Sequence, residues 1–173
     1  MSLTMTTISA GDPLASQIQS LYETAFPKAE RVQFDVLLNK QRPGYTTHLY
    51  AFNDDETFIG LATTIARDGL HLLGYFAIDE SLRGKGYGSQ AITLLKDACL
   101  PETLALEIET PDPAAPNAAE RLSRQHFYFK NGFFDSEIRY STWGVPYAVL
   151  MAGPAVSEAA YHQFYDPLVQ TRE

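Results

Sequence analysis

The spacing of apolar positions changes along the chain, and each change marks a predicted element. Between residues 12 and 26 apolar side chains recur every three or four residues, which is typical of a helix that buries one face. Between 47 and 79 three strand-like runs follow one another, separated by Asp54-Asp55 and Asp68-Gly69, which are good hairpin turns. The predicted strands cover 4–8, 47–53, 56–66, 70–79, 103–110, 133–140 and 147–152, and the predicted helices cover 12–26, 29–39, 91–98, 117–131 and 156–165.

This order predicts an α/β fold of mixed α+β character, in a single domain over residues 1–173. No internal repeat, low-complexity tract or long linker divides the chain. Successive hairpins followed by alternating helices and strands favour a twisted central sheet of about six or seven strands, with antiparallel and parallel pairs and flanking helices. The helix near 156–165 is expected to be an addition at the C-terminal end of that domain.

Charge and composition narrow the classes of partner. The chain has 173 residues, is 45% hydrophobic and carries a formal net charge of -8, as expected for one soluble globular domain without a nucleic-acid partner. A small anion held by one local basic loop remains compatible with this charge. No apolar run approaches the ~20 residues of a membrane span, and no secretory signal is recognisable. We therefore expect a cytoplasmic protein with no membrane partner.

The cysteine and histidine content argues against a metal site. Cys99 is the single cysteine, which excludes an internal disulfide and a multi-thiolate zinc site. It follows an apolar helical stretch, so a buried free thiol is expected. The four histidines have no metal-ligand spacing, and no Gly-x-Ser-x-Gly elbow is present. We expect chemistry that needs no metal ion.

The segment LRGKGYGSQ, residues 82 to 90, has three glycines within five residues, beside Arg83 and Lys85 and just before a helical pattern. Glycine loses the most backbone freedom on folding, so three together indicate a use for bare backbone. An ordinary structural turn would explain one or two of them. Successive amides at a helix N-terminus form a concavity for oxyanions, and the helix dipole adds partial positive charge. The segment therefore predicts a phosphate-binding loop.

A dinucleotide-binding fingerprint is the main alternative for this loop. Gly84-x-Gly86 lies between a strand and a helix, and Glu107 and Glu109 follow about twenty residues later, where a ribose-binding acid is expected. Three details oppose it: Gly88 stands one residue too early, five residues separate the strand from the first glycine, and antiparallel hairpins precede the loop. A Walker A loop is excluded because Gly-Lys-Ser/Thr does not occur at this segment.

The pattern Arg83-x-x-Gly86-x-Gly88 before a helix resembles motif A of the GNAT acetyltransferase superfamily, which seats the pyrophosphate of coenzyme A. The likeness extends to GYFAIDESLRGKGYGSQAITLLK, which is similar to that family's fourth strand, phosphate loop and following helix. It includes LALEIE and YAVLMAG, which resemble the fifth and final strands, and HFYFKNGFF, which resembles the family's FY-x-x-x-GF segment. YETAFPKAER also looks like a subgroup of bacterial members. Taken together, the likeness covers most of the chain from about residue 12 to 152.

The resemblance implies a coenzyme site made largely of backbone. In the family the end of the fourth strand binds the pantetheine arm, and an amide near Ile78 would stabilise the oxyanion formed on the thioester. Arg121 stands where the family often has asparagine, and it is expected to contact coenzyme phosphates or, alternatively, an acidic surface group. The residues that match cofactor-binding positions are Phe76, Ala77, Ile78, Arg83, Gly84, Lys85, Gly86, Tyr87, Gly88, Ser89 and Arg121.

Three further side chains are candidates for catalysis. Tyr128 lies four residues before Gly132 and matches the family's tyrosine near the coenzyme sulfur, where a phenol of pKa ~10 can protonate the departing thiolate. Glu107 and Glu109 are two residues apart on a predicted strand and should share one face. Either carboxylate could deprotonate an acceptor amine of pKa ~10 or attract a cation. The alternatives are packing for the tyrosine and a salt bridge or solvated edge for the acids.

The resemblance thus implies an N-acetyltransferase that uses acetyl-CoA as co-substrate. It would transfer the acetyl group directly to a primary amine of a small molecule or peptide, without a metal or a covalent intermediate. A coenzyme A-binding or sensor module without catalysis, on the same fold, is the alternative. Glu30, Glu107 and Glu109 favour a cationic acceptor but do not identify it. A homodimer is common among the proteins that this chain resembles.

Overall fold

A computed structural model describes residues 2–39 and 41–169. The strands are β1 (Leu3–Thr7), β2 (Thr46–Asp54), β3 (Thr57–Arg67), β4 (Leu70–Ile78), β5 (Thr103–Glu109), β6 (Phe134–Thr142) and β7 (Val145–Ala152). The α-helices are α1 (Ala15–Ala25), α2 (Phe34–Asn39), α3 (Tyr87–Cys99), α4 (Ala118–Lys130) and α5 (Glu158–Val169). The strands form one seven-stranded sheet in the order β1-β2-β3-β4-β5-β7-β6, with both parallel and antiparallel pairs, which confirms the predicted fold class.

The chain divides into two compact units, and β4 contributes residues to both. The first unit is Met1–Ala66 with Leu73–Ala98. In it β2 pairs antiparallel with β1 and with β3. Helix α1 turns Ile18 and Tyr22 toward a core that also contains Leu49 and Leu61 from the strands. This packing follows the predicted amphipathic spacing of α1, because the residues three and four apart are the buried ones.

The second unit is Arg67–Leu72 with Cys99–Glu173. The first residues of β4 pair parallel with the start of β5, beginning at Leu70 opposite Thr103. Strand β5 pairs antiparallel with β7, which pairs antiparallel with the edge strand β6. Ile108, Leu150 and Met151 are at most 1% exposed and form the centre of this unit's core. That a single domain spans the whole chain stays a prediction.

The second predicted helix is shorter than its sequence pattern suggests. It was expected over 29–39, but the α-helix begins only at Phe34. The Tyr22 hydroxyl donates to the Val32 carbonyl at 2.8 Å, and the Val32 N–H donates to the Tyr75 hydroxyl at 3.4 Å. These long-range bonds use backbone groups that a helix would pair internally, and this explains the late start.

The last helix is longer than predicted. It was expected to end near 165, before Pro167, yet α5 continues through the proline to Val169. A proline inside a helix cannot donate to the carbonyl four residues earlier, which here belongs to Gln163. The guanidinium of Arg67 donates a hydrogen bond to that carbonyl instead. A side chain therefore replaces the bond that the proline removes.

The one cysteine is a buried free thiol, as predicted. Cys99 ends α3 and is 6% exposed. Burial, with a smaller effect of the Glu102 charge, raises the pKa of the thiol to about 11, so it stays protonated near neutral pH. Over 2–39 and 41–169, no group of three His, Cys, Asp or Glu side chains is placed to hold a metal ion. Within the same ranges, no helix has the length and apolar character needed to cross a membrane.

Candidate active site

The segment between β4 and α3 has a backbone conformation that glycine adopts most readily. A 3₁₀ turn over Glu80–Leu82 follows β4, and Gly84 and Gly86 have φ angles of +77° and +84°. Residues with a Cβ are strained in this left-handed region. A Cβ at either position would have no atom within 4 Å, so backbone conformation rather than crowding explains these two glycines. The loop from Arg83 to Gly86 is exposed.

Amides around the start of α3 are available to an anion. The Gln90 N–H donates to the Gly86 carbonyl at 3.2 Å, and this bond closes a turn at the start of α3. In the part of the chain that the structure describes, no backbone carbonyl accepts from the N–H groups of Gly84, Lys85, Gly86, Gly88 and Ser89. A helix leaves its first four amides without intrahelical acceptors and carries partial positive charge there. The loop thus presents donors and a potential suited to phosphate oxygens.

Side chains hold both ends of this loop in place. Asp79 accepts from the hydroxyl of Ser81 at 2.6 Å and from its N–H at 2.9 Å, and these bonds lower the pKa of Asp79. Tyr87 is buried, and its hydroxyl donates to Asp54 Oδ2 at 2.7 Å. That hydrogen bond raises the pKa of Tyr87. Arg83 Nε donates to a carbonyl at the end of β4 at 3.3 Å.

Phe76, Ala77 and Ile78 end β4, where the family resemblance predicts the pantetheine contacts. Ala77 and Ile78 are buried, and the ring of Phe76 meets that of Phe52 at a centroid distance of 6.2 Å. Gly60 on β3 approaches this segment so closely that an added Cβ would lie 2.4 Å from the Ala77 carbonyl oxygen. Only a glycine at this position allows β3 to lie so close to the end of β4. The coenzyme contacts of these residues stay a prediction.

Helix α4 ends in a Schellman motif that explains the spacing of the FY-x-x-x-GF segment. Gly132 has a φ of +88°, and its N–H donates to the Phe129 carbonyl at 3.2 Å. The next N–H, of Phe133, donates to the Tyr128 carbonyl at 3.1 Å. These two bonds define the motif, and they confirm Gly132 as the predicted C-cap glycine.

Tyr128 is protonated and buried. It is 8% exposed, and within residues 2–39 and 41–169 its hydroxyl makes no hydrogen bond. Burial raises the pKa of the phenol to about 12, although the Arg124 charge acts to lower it. A phenol with this pKa keeps its proton at neutral pH and can donate it to a ligand. Its role as an acid stays a prediction.

Glu107 and Glu109 share one face of β5, as predicted, because the alternating Leu106 and Ile108 are buried while both acids are half-buried. Glu107 Oε1 accepts from the hydroxyl of Tyr161 at 2.8 Å. Tyr161 lies on α5 and is 0% exposed. Burial, and then the charge of Glu107, raise the pKa of this phenol. Glu107 is thus bound to a core tyrosine.

Glu109 belongs to a ring of three side chains. Its Oε2 lies 2.9 Å from Asn117 Nδ2 and 2.9 Å from Arg121 Nε. Arg121 Nε donates to Asn117 Oδ1 at 2.8 Å, and Arg121 Nη1 donates to the Thr110 carbonyl at 3.3 Å. The structure therefore pairs Arg121 with an acidic group, one of the two possibilities that its sequence position left open. A contact with coenzyme phosphates stays a prediction.

Sequence reasoning missed the residues that hold these groups in place: Asp54, Gly60, Asn117 and Tyr161. Asn117 was predicted only as the start of α4, where asparagine usually caps the helix, yet it makes no side-chain cap hydrogen bond. Asp54 was predicted only as a turn residue. Asp54, Asn117 and Tyr161 bind groups 8 to 54 positions away in sequence, on Tyr87, Glu109 and Glu107, and no local pattern indicates these pairs.

Solved structures share this fold at low sequence identity. A protein from Bacteroides thetaiotaomicron, assigned to the GNAT family, is 23% identical with a TM-score of 0.76, covering 95% of each chain. The ribosomal-protein-S18-alanine N-acetyltransferase of Escherichia coli is 20% identical with a TM-score of 0.61, covering 90% of this chain and 96% of its own. A GNAT family acetyltransferase from Elizabethkingia anophelis, with acetyl-CoA bound, is 15% identical with a TM-score of 0.56, covering 88% and 98%.

Sequence comparison identifies the family. No curated protein matches the chain. The profile of the Acetyltransferase (GNAT) family matches residues 15–133, which include the phosphate loop, β5 and the end of α4. The match covers more than half of the 173 residues and confirms the resemblance stated from the motifs. The chain belongs to the GNAT acetyltransferase family.

Proposed function

We propose that this protein transfers an acetyl group from acetyl-CoA directly to a primary amine. The observation that carries the proposal is the set of loop and helix amides without backbone acceptors, beside Gly84 and Gly86 in the left-handed conformation. A pyrophosphate there would accept several N–H bonds, each contributing about 1.5–3 kcal/mol. Family membership and the acetyl-CoA bound in the Elizabethkingia anophelis structure support this donor.

The proposed donor site uses the loop and the end of β4. Residues 83–89 would bind the pyrophosphate, with Arg83 and Lys85 adding positive charge. Tyr87 would contribute its backbone N–H, because its hydroxyl is already bonded to Asp54. Phe76, Ala77 and Ile78 would contact the pantetheine arm through backbone groups, and the amide near Ile78 would stabilise the oxyanion on the thioester carbon.

The proposed reaction needs a base for the acceptor amine and an acid for the departing thiolate. A carboxylate, Glu107 or Glu109, takes a proton from the acceptor ammonium, and the freed nitrogen lone pair attacks the acetyl carbon. The carbon–sulfur bond then breaks. The departing thiolate takes a proton from Tyr128, whose raised pKa keeps the phenol protonated until that step. After the attack the acceptor nitrogen loses its second proton, which returns the Tyr128 phenolate to the phenol, and the carboxylate releases the first proton to solvent.

The acceptor is proposed to be an amine of a small molecule or peptide. The net charge of -8 favours a cationic one, since opposite charge increases the rate of encounter. Neighbours with this fold are named for an alanine of a ribosomal protein, for an aminoglycoside and for spermidine, so the acceptors named for them differ in size. A cytoplasmic location, a homodimer and a reaction without a metal stay predictions from the sequence.

Coenzyme affinity, measured by calorimetry, tests the donor site. Gly86→Glu places a carboxylate in the anion-binding loop, and Gly11→Glu is the matched control, because Gly11 has a φ of +87° and equally open surroundings. We expect the Kd of coenzyme A to rise at least about tenfold in the first variant, since one lost charged bond has that effect. The control should bind like the wild type. Equal affinity in both folded variants would contradict the proposed site.

Thiol release from acetyl-CoA tests catalysis. The panel of acceptors should include spermidine, kanamycin, alanine amide and a lysine-containing peptide. We expect at least one of these amines to accelerate release above the rate of hydrolysis. Tight coenzyme binding without acceleration by any amine would support the alternative of a binding module without catalysis.

A further inference from the structure

Two carboxylates on β5 are candidates for the base, and their surroundings differ. Both contacts to Glu109 fall on one oxygen, Oε2, which lies 2.9 Å from Asn117 Nδ2 and 2.9 Å from Arg121 Nε. In the described chain no donor contacts Oε1. The side chain of Glu109 is 23% exposed.

The two residues that contact Glu109, Asn117 and Arg121, make further hydrogen bonds that fix their own side chains. Asn117 accepts from Arg121 Nε at 2.8 Å, which orients its amide so that Nδ2 faces the carboxylate. The Arg121 side chain is only 11% exposed, and its Nη1 is bonded to the Thr110 carbonyl. A buried guanidinium with two acceptors and an ion-pair partner loses mobility, and a carboxylate with a hydrogen bond and an ion pair on one oxygen has few orientations left.

Glu107 is placed differently. Its Oε1 accepts from Tyr161, a fully buried residue of α5, so that oxygen already has a hydrogen-bond partner in the protein core. Taking up a proton there would displace a hydrogen bond that attaches α5 to the sheet. Glu107 therefore has a structural task that competes with proton transfer, whereas Glu109 Oε1 has no competing donor.

We propose that Glu109, through Oε1, is the carboxylate that deprotonates the acceptor amine, and that Asn117 and Arg121 are its positioning residues. The step moves one proton from the acceptor ammonium to Oε1 and leaves a neutral amine with a free lone pair. Glu109 later releases the proton to solvent. Arg121 acts toward Glu109 rather than toward coenzyme A. This inference rests on the proposed N-acetyltransferase function.

Paired substitutions of the two acids test the assignment of the base. The assay is steady-state acetyl transfer to the panel amine that the wild type uses best. Glu109→Gln should lower kcat by about 10²-fold, the usual effect of losing a general base, while leaving the Kd of coenzyme A unchanged. Glu107→Gln should lower kcat by a smaller factor than Glu109→Gln does. A larger loss of kcat in Glu107→Gln than in Glu109→Gln would overturn the assignment.

Arg121 variants separate a positioning role from a phosphate contact. Arg121→Met removes the ion pair to Glu109, so kcat should fall while the KM for acetyl-CoA stays unchanged. Arg121→Lys keeps the positive charge and should recover part of the lost kcat. A weaker affinity for coenzyme A with an unchanged kcat in Arg121→Met would overturn the positioning role.

Failure of the two proposals can be told apart. If the wild type binds coenzyme A but no amine accelerates thiol release, the proposed function fails and this inference fails with it. If the wild type acetylates an amine while Glu109→Gln retains the full kcat, only the inference fails. Asn117→Ala gives an independent check, since losing the donor to Oε2 should lower kcat with KM for acetyl-CoA unchanged, and an unchanged kcat would contradict its role.

Discussion

Phe133 packs edge-on against Tyr128, with ring centroids 5.4 Å apart and an interplanar angle of 73°. The contact joins the residue that follows a helix's C-terminal glycine to one five positions earlier, a contact that frequently accompanies a Schellman motif. A sequence signature of the family thus has a local cause. The glycine reverses the chain, and the reversal brings the second aromatic ring onto the tyrosine.

Gly132→Ala tests whether this reversal matters for activity as well as stability. Gly132 has a φ of +88°, where an alanine costs about 1 kcal/mol of stability. We expect that loss in the free energy of unfolding measured with urea, together with a lower kcat caused by displacement of Tyr128. Gly144→Ala is the control, because Gly144 has a φ of +76° with no atom within 4 Å of an added Cβ. A similar fall of kcat in the control would contradict the link to Tyr128.

Most elements were predictable from the sequence because their cause is local. The Asp68-Gly69 turn has φ angles of +51° and +81°, the conformation that this pair adopts readily, and the flanking strands end within one residue of their predicted limits. Periodicity likewise placed α4 within one residue at each end. These features depend on neighbours in sequence, which a single chain displays directly.

The parts that could not be predicted depend on distant partners. The late start of α2 follows from bonds that Tyr22 and Tyr75 make to Val32, 10 and 43 positions away. The same holds for the two acids of β5, whose pattern predicted a common face but not their separate partners. Asn117 and Tyr161 become their partners only when the chain folds, so the sequence left the choice of base open.

Tyr128→Phe tests the proposed acid. The variant keeps the ring and its packing but removes the proton donor, so kcat should fall by about 10²-fold with the Kd of coenzyme A unchanged. Phe129→Leu is a control on the same helical turn, because Phe129 is 40% exposed and should tolerate the change. An undiminished kcat in Tyr128→Phe would assign proton delivery to water or to another group.

The raised pKa of Tyr128 predicts how kcat should depend on pH. An acid must be protonated to act, so its contribution is lost as pH rises through its pKa, which is about 12 for Tyr128. We therefore expect no alkaline loss of kcat from this group below about pH 11. A limb near pH 9 that is present in the wild type and absent in Tyr128→Phe would contradict the raised pKa.

Gly60→Ala tests the close approach of β3 to the end of β4. The added Cβ would lie 2.4 Å from the Ala77 carbonyl oxygen, a backbone atom, so the strands must separate. We expect a stability loss of about 1–3 kcal/mol, as for other overpacked sites, and weaker coenzyme A binding from the displaced segment. Gly74→Ala is the control, since its Cβ would meet a side-chain oxygen of Thr63 at 2.8 Å. Equal coenzyme affinity in Gly60→Ala and the wild type would contradict the predicted pantetheine contacts.

The helix that continues through Pro167 allows a double-mutant cycle with Arg67. Arg67→Met removes the donor to the Gln163 carbonyl and should lower the free energy of unfolding by about 1 kcal/mol. In a Pro167→Ala background the new N–H can bond that carbonyl itself, so the same substitution should cost less, with a coupling of about 0.5–1 kcal/mol. Asp68→Asn controls for the ion pair of Arg67 with Asp68, whose 91% exposed side chain contributes little. Additive losses in urea denaturation would show that Arg67 does not replace the missing bond.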